Sequence, residues 1–398
     1  MKHVSKRVKE LSESQTLLMA AKSRELQDRG VDVINLSIGE PDFDTPEFIK
    51  EAAKKAIDDN ITHYTPVPGF PELREAIAKK LKRDNKLDYS AGNVVVSTGA
   101  KQSLMNVVLS VINPGEELIL PAPYWVSYYA MGEFAQASIK TIKTTVESEF
   151  KITGDQLEKS ITSKSRLLIF SSPCNPSGSV YSEEELSDLV RVIQKHPNLV
   201  VVSDEIYEHI NYSGSHASLA RFEEIKDQVV TVNGVSKGFA MTGWRIGYIA
   251  APEWIAKAAI KVQGQFTSGA NSIAQMAAKA ALDASPDSVS YMNDAFLKRR
   301  ELILDLLKGI DGLKTATPQG AFYVFPDVSH FFGKDTPEGK VIAHSTDLCM
   351  YLLNEVAVAT VPGEAFGDEN CIRLSYATSE GNIKLAIERI KKALDKLK

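Results

Sequence analysis

Short apolar runs alternate with helical patterns between about residue 50 and residue 285. The runs lie at residues 94–97, 118–120, 166–170, 199–203 and 229–232. Such uninterrupted apolar runs are typical of strands that are covered on both faces of a largely parallel sheet. The amphipathic segment at about 102–112 fits a helix that covers one face. The pattern therefore predicts an α/β fold with a mostly parallel sheet.

A different arrangement begins after about residue 290. A charged helix is predicted at 294–307, and a second helix at about 347–355. Strand-like runs at 320–325, 356–360 and 372–376 are followed by a terminal helix from about residue 380. The apolar run at 33–36 is expected to join these elements. A chain of 398 residues is long enough for two domains. We predict a large domain at 47–290 and a smaller α/β domain made of 1–46 and 291–398.

Composition excludes several classes of protein. Hydrophobic content of 43% and charged content of 24% are ordinary for a globular enzyme, and a net charge of −5 gives no reason to expect nucleic-acid binding. No apolar run approaches the roughly 20 residues that span a bilayer, and no apolar segment follows the charged N-terminus. The cysteines and histidines have no metal-ligand spacing. These features predict a cytoplasmic protein that needs neither a membrane nor a metal.

One lysine stands among small residues at 233–247, a segment that reads NGVSKGFAMTGWRIG. The amine of Lys237 is the kind of nucleophile that can hold a carbonyl cofactor as an imine. Arg245, eight residues later, offers a planar charged fork that suits phosphate. A lone lysine is most often a solvated surface charge. A cofactor site is therefore indicated only if other residues of the chain fit the same group.

Polar residues follow the predicted strands, at the sheet edge where ligands bind in parallel sheets. Asp204 ends an apolar strand, where a carboxylate is costly unless it is paired, although it could simply cap the next segment. Asn175 lies in a strong turn signal. Residues 98–101 join a strand to a helix, and backbone amides at a helix start can bind phosphate. Trp125 follows a fourth strand, with core packing as the alternative.

Arg373 is flanked by apolar residues in a strand-like run. A guanidinium in that setting seeks a carboxylate, which it can bind through two hydrogen bonds. The partner could be a structural ion pair or a bound substrate, and the residues alone do not decide between them.

These motifs, from Gly39 to Arg373, occur in the order found in class I and II pyridoxal-phosphate aminotransferases. The chain therefore resembles that family over nearly its whole length. The resemblance implies the fold type I architecture of pyridoxal-phosphate enzymes, with a seven-stranded-type, mostly parallel sheet in the large domain. It also implies pyridoxal 5'-phosphate as cofactor and a homodimer with shared active sites.

The resemblance also assigns roles to single residues. Lys237 would form the imine and move the substrate α-proton, Asp204 would keep the ring nitrogen protonated, and Trp125 would stack on the ring. Tyr207 and Asn175 would donate to the phenolic oxygen. The residues implied at the cofactor phosphate are Gly99, Ala100, Lys101, Ser236, Arg245 and, from the neighbouring subunit, Tyr64. The groups implied at the substrate α-carboxylate are Arg373, Asn175 and the backbone of Gly39.

The substrate prediction depends mainly on Lys101. A lysine beside the positive end of a helix is mildly unfavourable and needs a reason. The chain resembles prokaryotic-type aspartate aminotransferases, in which a lysine here reads the distal carboxylate, and Ser14 and Thr16 are expected to assist. We predict ping-pong transfer of the amino group of L-aspartate to 2-oxoglutarate, giving oxaloacetate and L-glutamate.

Alternative functions are transamination of aromatic or neutral amino acids or of prephenate, and a pyridoxal-phosphate-dependent β-lyase. Some relatives accept prephenate with the help of a basic residue on the N-terminal arm, where this chain has Ser12 and Glu13. That difference counts against prephenate. A cofactor-sensing regulator would need a DNA-binding extension, and the arm ahead of residue 36 has no helix-turn-helix pattern.

Overall fold

The computed structural model describes residues 3–5, 8, 9, 11 and 15–398, apart from the side chains of residues 16 and 17. The helices are α1 (Gln15–Asp28), α2 (Glu47–Asp58), α3 (Pro71–Asn85), α4 (Ala100–Val111), α5 (Val126–Phe134), α6 (Gly154–Ser160), α7 (Glu183–Ile193), α8 (Glu253–Phe266), α9 (Ser272–Asp283), α10 (Ser290–Leu307), α11 (Ser345–Val356) and α12 (Glu380–Leu394). Within these described ranges, no helix combines the length and the apolar character that crossing a bilayer requires.

The largest sheet has seven strands, which are β2 (Val94–Ser97), β3 (Glu117–Ala122), β4 (Ser138–Lys143), β5 (Ser165–Ser171), β6 (Val200–Asp204), β7 (Val229–Gly234) and β8 (Gly247–Ala250). Their order across the sheet is β2-β8-β7-β6-β5-β3-β4. Strand β8 runs antiparallel to both of its neighbours, and the remaining pairs are parallel. The predicted α/β fold with a mostly parallel sheet is confirmed.

Side chains from both faces of this sheet are buried under helices. Along β5, Leu167 and Ile169 belong to one apolar cluster, and Leu168 and Phe170 belong to another on the opposite face. Helices α4, α5 and α8 cover the first face, and α2, α3, α7 and α9 cover the second. Burial of a side chain of this size contributes about 1.5–3 kcal/mol. The continuous apolar runs in the sequence are explained by this coverage on both sides.

The remaining strands form two smaller sheets. They are β1 (Ile34–Asn35), β9 (Tyr323–Val324), β10 (Val358–Ala359), β11 (Val361–Pro362) and β12 (Ile372–Ser375). Strand β1 pairs in parallel with β10, so the N-terminal segment joins the C-terminal elements as expected. Strands β11, β12 and β9 form an antiparallel sheet. The division of the chain at 46/47 and 290/291 stays a prediction.

Candidate active site

A cavity of about 800 Å³ opens beyond the carboxyl ends of the parallel strands. Strands β2, β3, β5, β6 and β7 all end at this edge, and the segments that follow them turn into the cavity. The predicted site residues that line it are Gly39, Ala100, Lys101, Trp125, Asn175, Asp204, Tyr207, Ser236, Lys237, Arg245 and Arg373. Residues far apart in the sequence are thus brought together as expected for one ligand site.

Lys237 follows β7 and is largely enclosed. Its Nζ donates to the carbonyl oxygen of Gly39 at 2.6 Å. Burial lowers the pKa of the Lys237 amine to about 8, because the charged form loses its water. Roughly a tenth of the molecules then carry a neutral amine at pH 7. A neutral amine is the form that acts as nucleophile or base.

Asp204 ends β6 and is 3% exposed. One carboxylate oxygen accepts a hydrogen bond from the hydroxyl of Tyr128 at 2.6 Å, and the other accepts from the amide of Ile206 at 3.2 Å. Burial raises the pKa of Asp204 to about 6, although the Tyr128 hydrogen bond acts in the opposite direction. Asp204 therefore supports the next turn and also presents an ionisable group to the cavity.

Tyr128 was missed by the sequence analysis. It lies on α5 three residues after Trp125, on whose ring its own ring packs edge-on at 5.5 Å. This i, i+3 spacing from the N-cap residue Trp125 is a usable signal, since side chains three residues apart at a helix start lie close together. The adjacent Tyr129 is partly exposed, and the sequence offered no further sign of which tyrosine faces Asp204.

Arg373 lies on β12 and is 2% exposed. Its guanidinium donates to Asn175 Oδ1 at 2.9 Å and to the carbonyl oxygen of Ser37 at 2.6 Å. The rings of Tyr323 and Phe366 lie 4.6 Å and 5.1 Å from its central carbon. Its Nε has no hydrogen-bond partner, and no carboxylate of the described residues lies within 4.0 Å. Arg373 therefore forms no structural ion pair with the residues that the structure describes. Its buried guanidinium faces the cavity.

Gly99, Ala100 and Arg245 lie together where α4 begins, and we call this group the anion cradle. Gly99 has a φ of 81°, and a Cβ built on it would lie 2.2 Å from a terminal nitrogen of Arg245. A Cβ on Gly247 would lie 2.1 Å from the amide nitrogen of Ala100. Only residues without side chains let the guanidinium and β8 approach this helix start so closely. The amides at the helix start and the guanidinium together favour an anion such as phosphate.

Lys101 lies beside this cradle, on the first turn of α4. Its Nζ is 5.1 Å from the centre of the Trp125 ring. Burial, together with the nearby Arg245 guanidinium, lowers the pKa of Lys101. Among the residues that the structure describes, no carboxylate lies within 4.0 Å of the Lys101 ammonium. Lys101 is therefore a further cation of the cavity, besides Arg245 and Arg373, that has no carboxylate partner among the described residues.

A second tyrosine that the sequence analysis missed is Tyr323 of β9. Its hydroxyl is 2.7 Å from the hydroxyl of Tyr207, and both side chains are buried. A Cβ built on Gly39 would lie 2.7 Å from the same Tyr323 hydroxyl, so the chain needs glycine there. The sequence placed Tyr323 in a predicted strand but gave no sign of its partner.

An ion network outside the cavity fixes the segment that carries Asp204 and Tyr207. Glu208 accepts hydrogen bonds from Lys80 and from Asn85, all of them buried. Burial alone would raise the pKa of Glu208, but the Lys80 ammonium holds it well below its ordinary value. His216 lies 3.0 Å from Glu205. The segment is therefore anchored by residues that do not line the cavity.

Some predicted residues are not brought into the cavity. Tyr64 is 100% exposed in the single chain and does not line the cavity. Ser12, Glu13 and Ser14 lie outside the described residues, and so does the side chain of Thr16. Their expected contributions stay predictions.

Residues 31–390 match the family model for aminotransferase class I and II. This chain belongs to the class I and II aminotransferases. The match covers both the seven-stranded sheet and most of the C-terminal elements, and it agrees with the resemblance drawn from the motifs. The aminotransferase fold type I architecture is also confirmed by solved structures.

Among aminotransferases, the chain is 47% identical over 399 residues to the bifunctional aspartate aminotransferase and glutamate/aspartate-prephenate aminotransferase of Petunia hybrida. That alignment covers 99% of this chain and 83% of the relative. The crystal structure of the aspartate aminotransferase from Rhizobium meliloti superposes with a TM-score of 0.96, at 42% identity and with all of both chains covered. The aspartate aminotransferase from Thermus thermophilus with maleate gives a TM-score of 0.92 at 41% identity, covering 99% of this chain and 100% of that one.

Proposed function

We propose that this aminotransferase uses pyridoxal 5'-phosphate to move the amino group of L-aspartate to 2-oxoglutarate, giving oxaloacetate and L-glutamate. The observation that carries the proposal is the buried guanidinium of Arg373, which faces the same cavity as Lys237 and has no carboxylate partner among the described residues. A second cation, Lys101, lines the cavity as well. Arg245 is assigned to the cofactor phosphate, and the two remaining cations together with a reactive amine suit an amino acid with two carboxylates.

The cavity fits the proposed cofactor on three counts. The anion cradle of Gly99, Ala100 and Arg245 suits its phosphate. The Trp125 ring offers a flat surface in the same cavity, and Asp204 offers a carboxylate for a ring nitrogen. When bound, pyridoxal phosphate supplies a ring that accepts electrons from the substrate α-carbon.

The chain's own residues would then do the remaining work. Asp204, held by Tyr128, is mostly ionised above its pKa of about 6 and can keep a pyridine nitrogen protonated. The neutral amine of Lys237 can accept the α-proton and return it. Arg373 and Asn175 would hold the α-carboxylate. The distal carboxylate would lie at Lys101, which gives the preference for aspartate.

A coupled assay tests this proposal. Purified protein supplied with pyridoxal phosphate, L-aspartate and 2-oxoglutarate is expected to form oxaloacetate and L-glutamate in equal amounts. A β-lyase would instead release pyruvate and ammonia, without any acceptor, from an amino acid that carries a leaving group on its β-carbon, such as β-chloro-L-alanine. No product from either reaction would refute the proposal.

Prephenate is a second candidate acceptor, because the Petunia relative carries prephenate aminotransferase in its name. The acidic and polar residues at 12 and 13 predict that this chain uses prephenate poorly. Replacing 2-oxoglutarate by prephenate in the same assay decides the point. Turnover comparable to that with 2-oxoglutarate would make the chain bifunctional.

Lys101→Ala is expected to lower kcat/KM for aspartate by about 10- to 100-fold, because a hydrogen bond to a charged group is lost. Activity with aromatic amino acids, which have no distal carboxylate, should change little. Lys101→Arg keeps a cation at this position and serves as the control. We expect it to prefer aspartate over aromatic amino acids, as the wild-type protein does. Equal losses for both substrate classes would show that Lys101 does not select aspartate.

We also propose that the enzyme works in the cytoplasm as a homodimer with shared sites, which would explain the fully exposed Tyr64. Mixed refolding of Lys237→Ala and Tyr64→Ala chains tests this. Random pairing would restore one intact site in each heterodimer, or roughly a quarter of the wild-type activity. A mixture that shows only the sum of the two separate variants would contradict a shared site.

A further inference from the structure

Tyr323 joins two parts of the site that have separate tasks. Its side chain is fully buried, and its hydroxyl lies 2.7 Å from that of Tyr207. The face of its ring lies 4.6 Å from the guanidinium carbon of Arg373. One phenol therefore touches both the expected donor to the cofactor and the expected anchor of the substrate carboxylate.

The direction of the hydrogen bond between the two tyrosines follows from counting protons. Each hydroxyl has one proton to donate. Burial raises the pKa of both Tyr207 and Tyr323 above the ordinary value, so both keep that proton at neutral pH. If Tyr207 donates its proton to an acceptor in the cavity, Tyr323 must donate to Tyr207. A hydroxyl that accepts a hydrogen bond is also polarised into a stronger donor.

We propose that Tyr323 is a positioning residue, which directs the proton of Tyr207 into the cavity through its hydroxyl and supports Arg373 through its ring. The inference rests on the proposed function, since it needs a bound pyridoxal phosphate whose phenolic oxygen accepts from Tyr207. It assigns different tasks to the hydroxyl and to the ring. Two substitutions can therefore separate them.

Tyr323→Phe removes the hydroxyl and keeps the ring. In the holoenzyme, the visible absorbance of bound pyridoxal phosphate is expected to change with pH. Hydrogen-bond donors to the phenolic oxygen of the cofactor lower the midpoint of that change. Loss of Tyr207 as donor should raise this midpoint by about one to two pH units. Tyr323→Phe should raise it by about 0.2 to 0.5 units, since it only weakens that donor. The groups around Lys237, which are Glu40, Asp204, Arg245 and Arg373, stay unchanged.

A double-variant cycle tests whether Tyr323 changes the midpoint through Tyr207. In a Tyr207→Phe background, Tyr323→Phe should cause no further shift of the midpoint, because the donor on which it acts is gone. An equal shift in both backgrounds would show that Tyr323 acts on the cofactor without Tyr207. No shift in either background would overturn the proposal.

Tyr323→Leu removes the ring as well. Succinate, a dicarboxylate without an amino group, serves as the probe of the carboxylate site in the holoenzyme. Its dissociation constant should rise by about 3- to 10-fold in Tyr323→Leu, because the guanidinium loses an aromatic face, and change less than about two-fold in Tyr323→Phe. Equal weakening in both variants would contradict the division of tasks.

Tyr376→Phe is the matched control. Tyr376 is also fully buried and donates its hydroxyl to the carbonyl oxygen of Ala321 at 3.1 Å, but it does not line the cavity. Its removal should leave both the midpoint and succinate binding unchanged. If the wild-type protein binds no pyridoxal phosphate at all, the proposed function fails. If the absorbance of the wild-type holoenzyme changes with pH as expected and Tyr323→Phe has the same midpoint, only the inference about Tyr323 fails.

Discussion

Lys237→Ala is expected to lower kcat/KM for aspartate by about 10⁴-fold, at the upper end of what a single acid–base group contributes. The reason is that Lys237 supplies both the covalent attachment and the base, and no other lysine lies as deep in the cavity beside Gly39 among the described residues. The fold should be retained, because the Lys237 amine makes a single hydrogen bond to a backbone oxygen. Steady-state kinetics and the visible spectrum of the purified variant measure both effects.

Two further variants make the Lys237 result specific. Lys237→Arg keeps the positive charge but cannot provide a neutral amine, so it should be as inactive as the alanine variant. Lys151→Ala removes a partly buried lysine that pairs with Glu185 outside the cavity, and it should keep normal activity. A Lys237→Ala protein that still shows the pH-dependent absorbance of the imine would refute the assignment of Lys237.

Arg373→Ala is expected to lower kcat/KM by roughly 10²- to 10³-fold, the usual cost of removing one partner from a buried charge pair. The change should fall on every amino acid and 2-oxo acid, because all of them carry the α-carboxylate. Arg373→Lys keeps the charge but loses the planar fork that also contacts Asn175, so an intermediate loss is expected. The effect should be seen mainly in KM.

Arg300→Ala is the control for Arg373. Arg300 also lies against an aromatic ring, 4.8 Å from that of Tyr212, and donates to the carbonyl oxygen of Pro318, but it does not line the cavity. Its loss should leave KM unchanged. An Arg373→Ala enzyme with unaltered KM for both substrates would show that this guanidinium serves the fold and not the substrate.

The sequence predicted the elements that have a clear apolar run or a helical apolar pattern. Strand β2 was expected at 94–97 and lies at Val94–Ser97, and the terminal helix expected from residue 380 is Glu380–Leu394. Strand β4, Ser138–Lys143, was missed because it lies at the sheet edge with one residue in six buried, which leaves no apolar run. Strand β8 was missed because it has only four residues and begins with Gly247, the last residue of the lysine segment.

The site was predictable as far as its residues lie in motifs next to strand ends. Asp204 ends β6, and Asn175 and Lys237 follow β5 and β7, so the topology of a parallel sheet places them together. The partners of these residues were not predictable. Tyr128 contacts Asp204, which is 76 residues away in the sequence, and Tyr323 contacts Tyr207, which is 116 residues away. No local sequence pattern encodes contacts over such separations.

The central claim is that aspartate donates its amino group to a cofactor held by Lys237, and a half-reaction tests it most directly. Purified holoenzyme is mixed with L-aspartate in the absence of any 2-oxo acid, and the visible absorbance of the bound aldehyde is followed. We predict loss of that absorbance together with one oxaloacetate for each site, and its recovery when 2-oxoglutarate is added. An unchanged spectrum, or loss of the absorbance without formation of oxaloacetate, would contradict the claim.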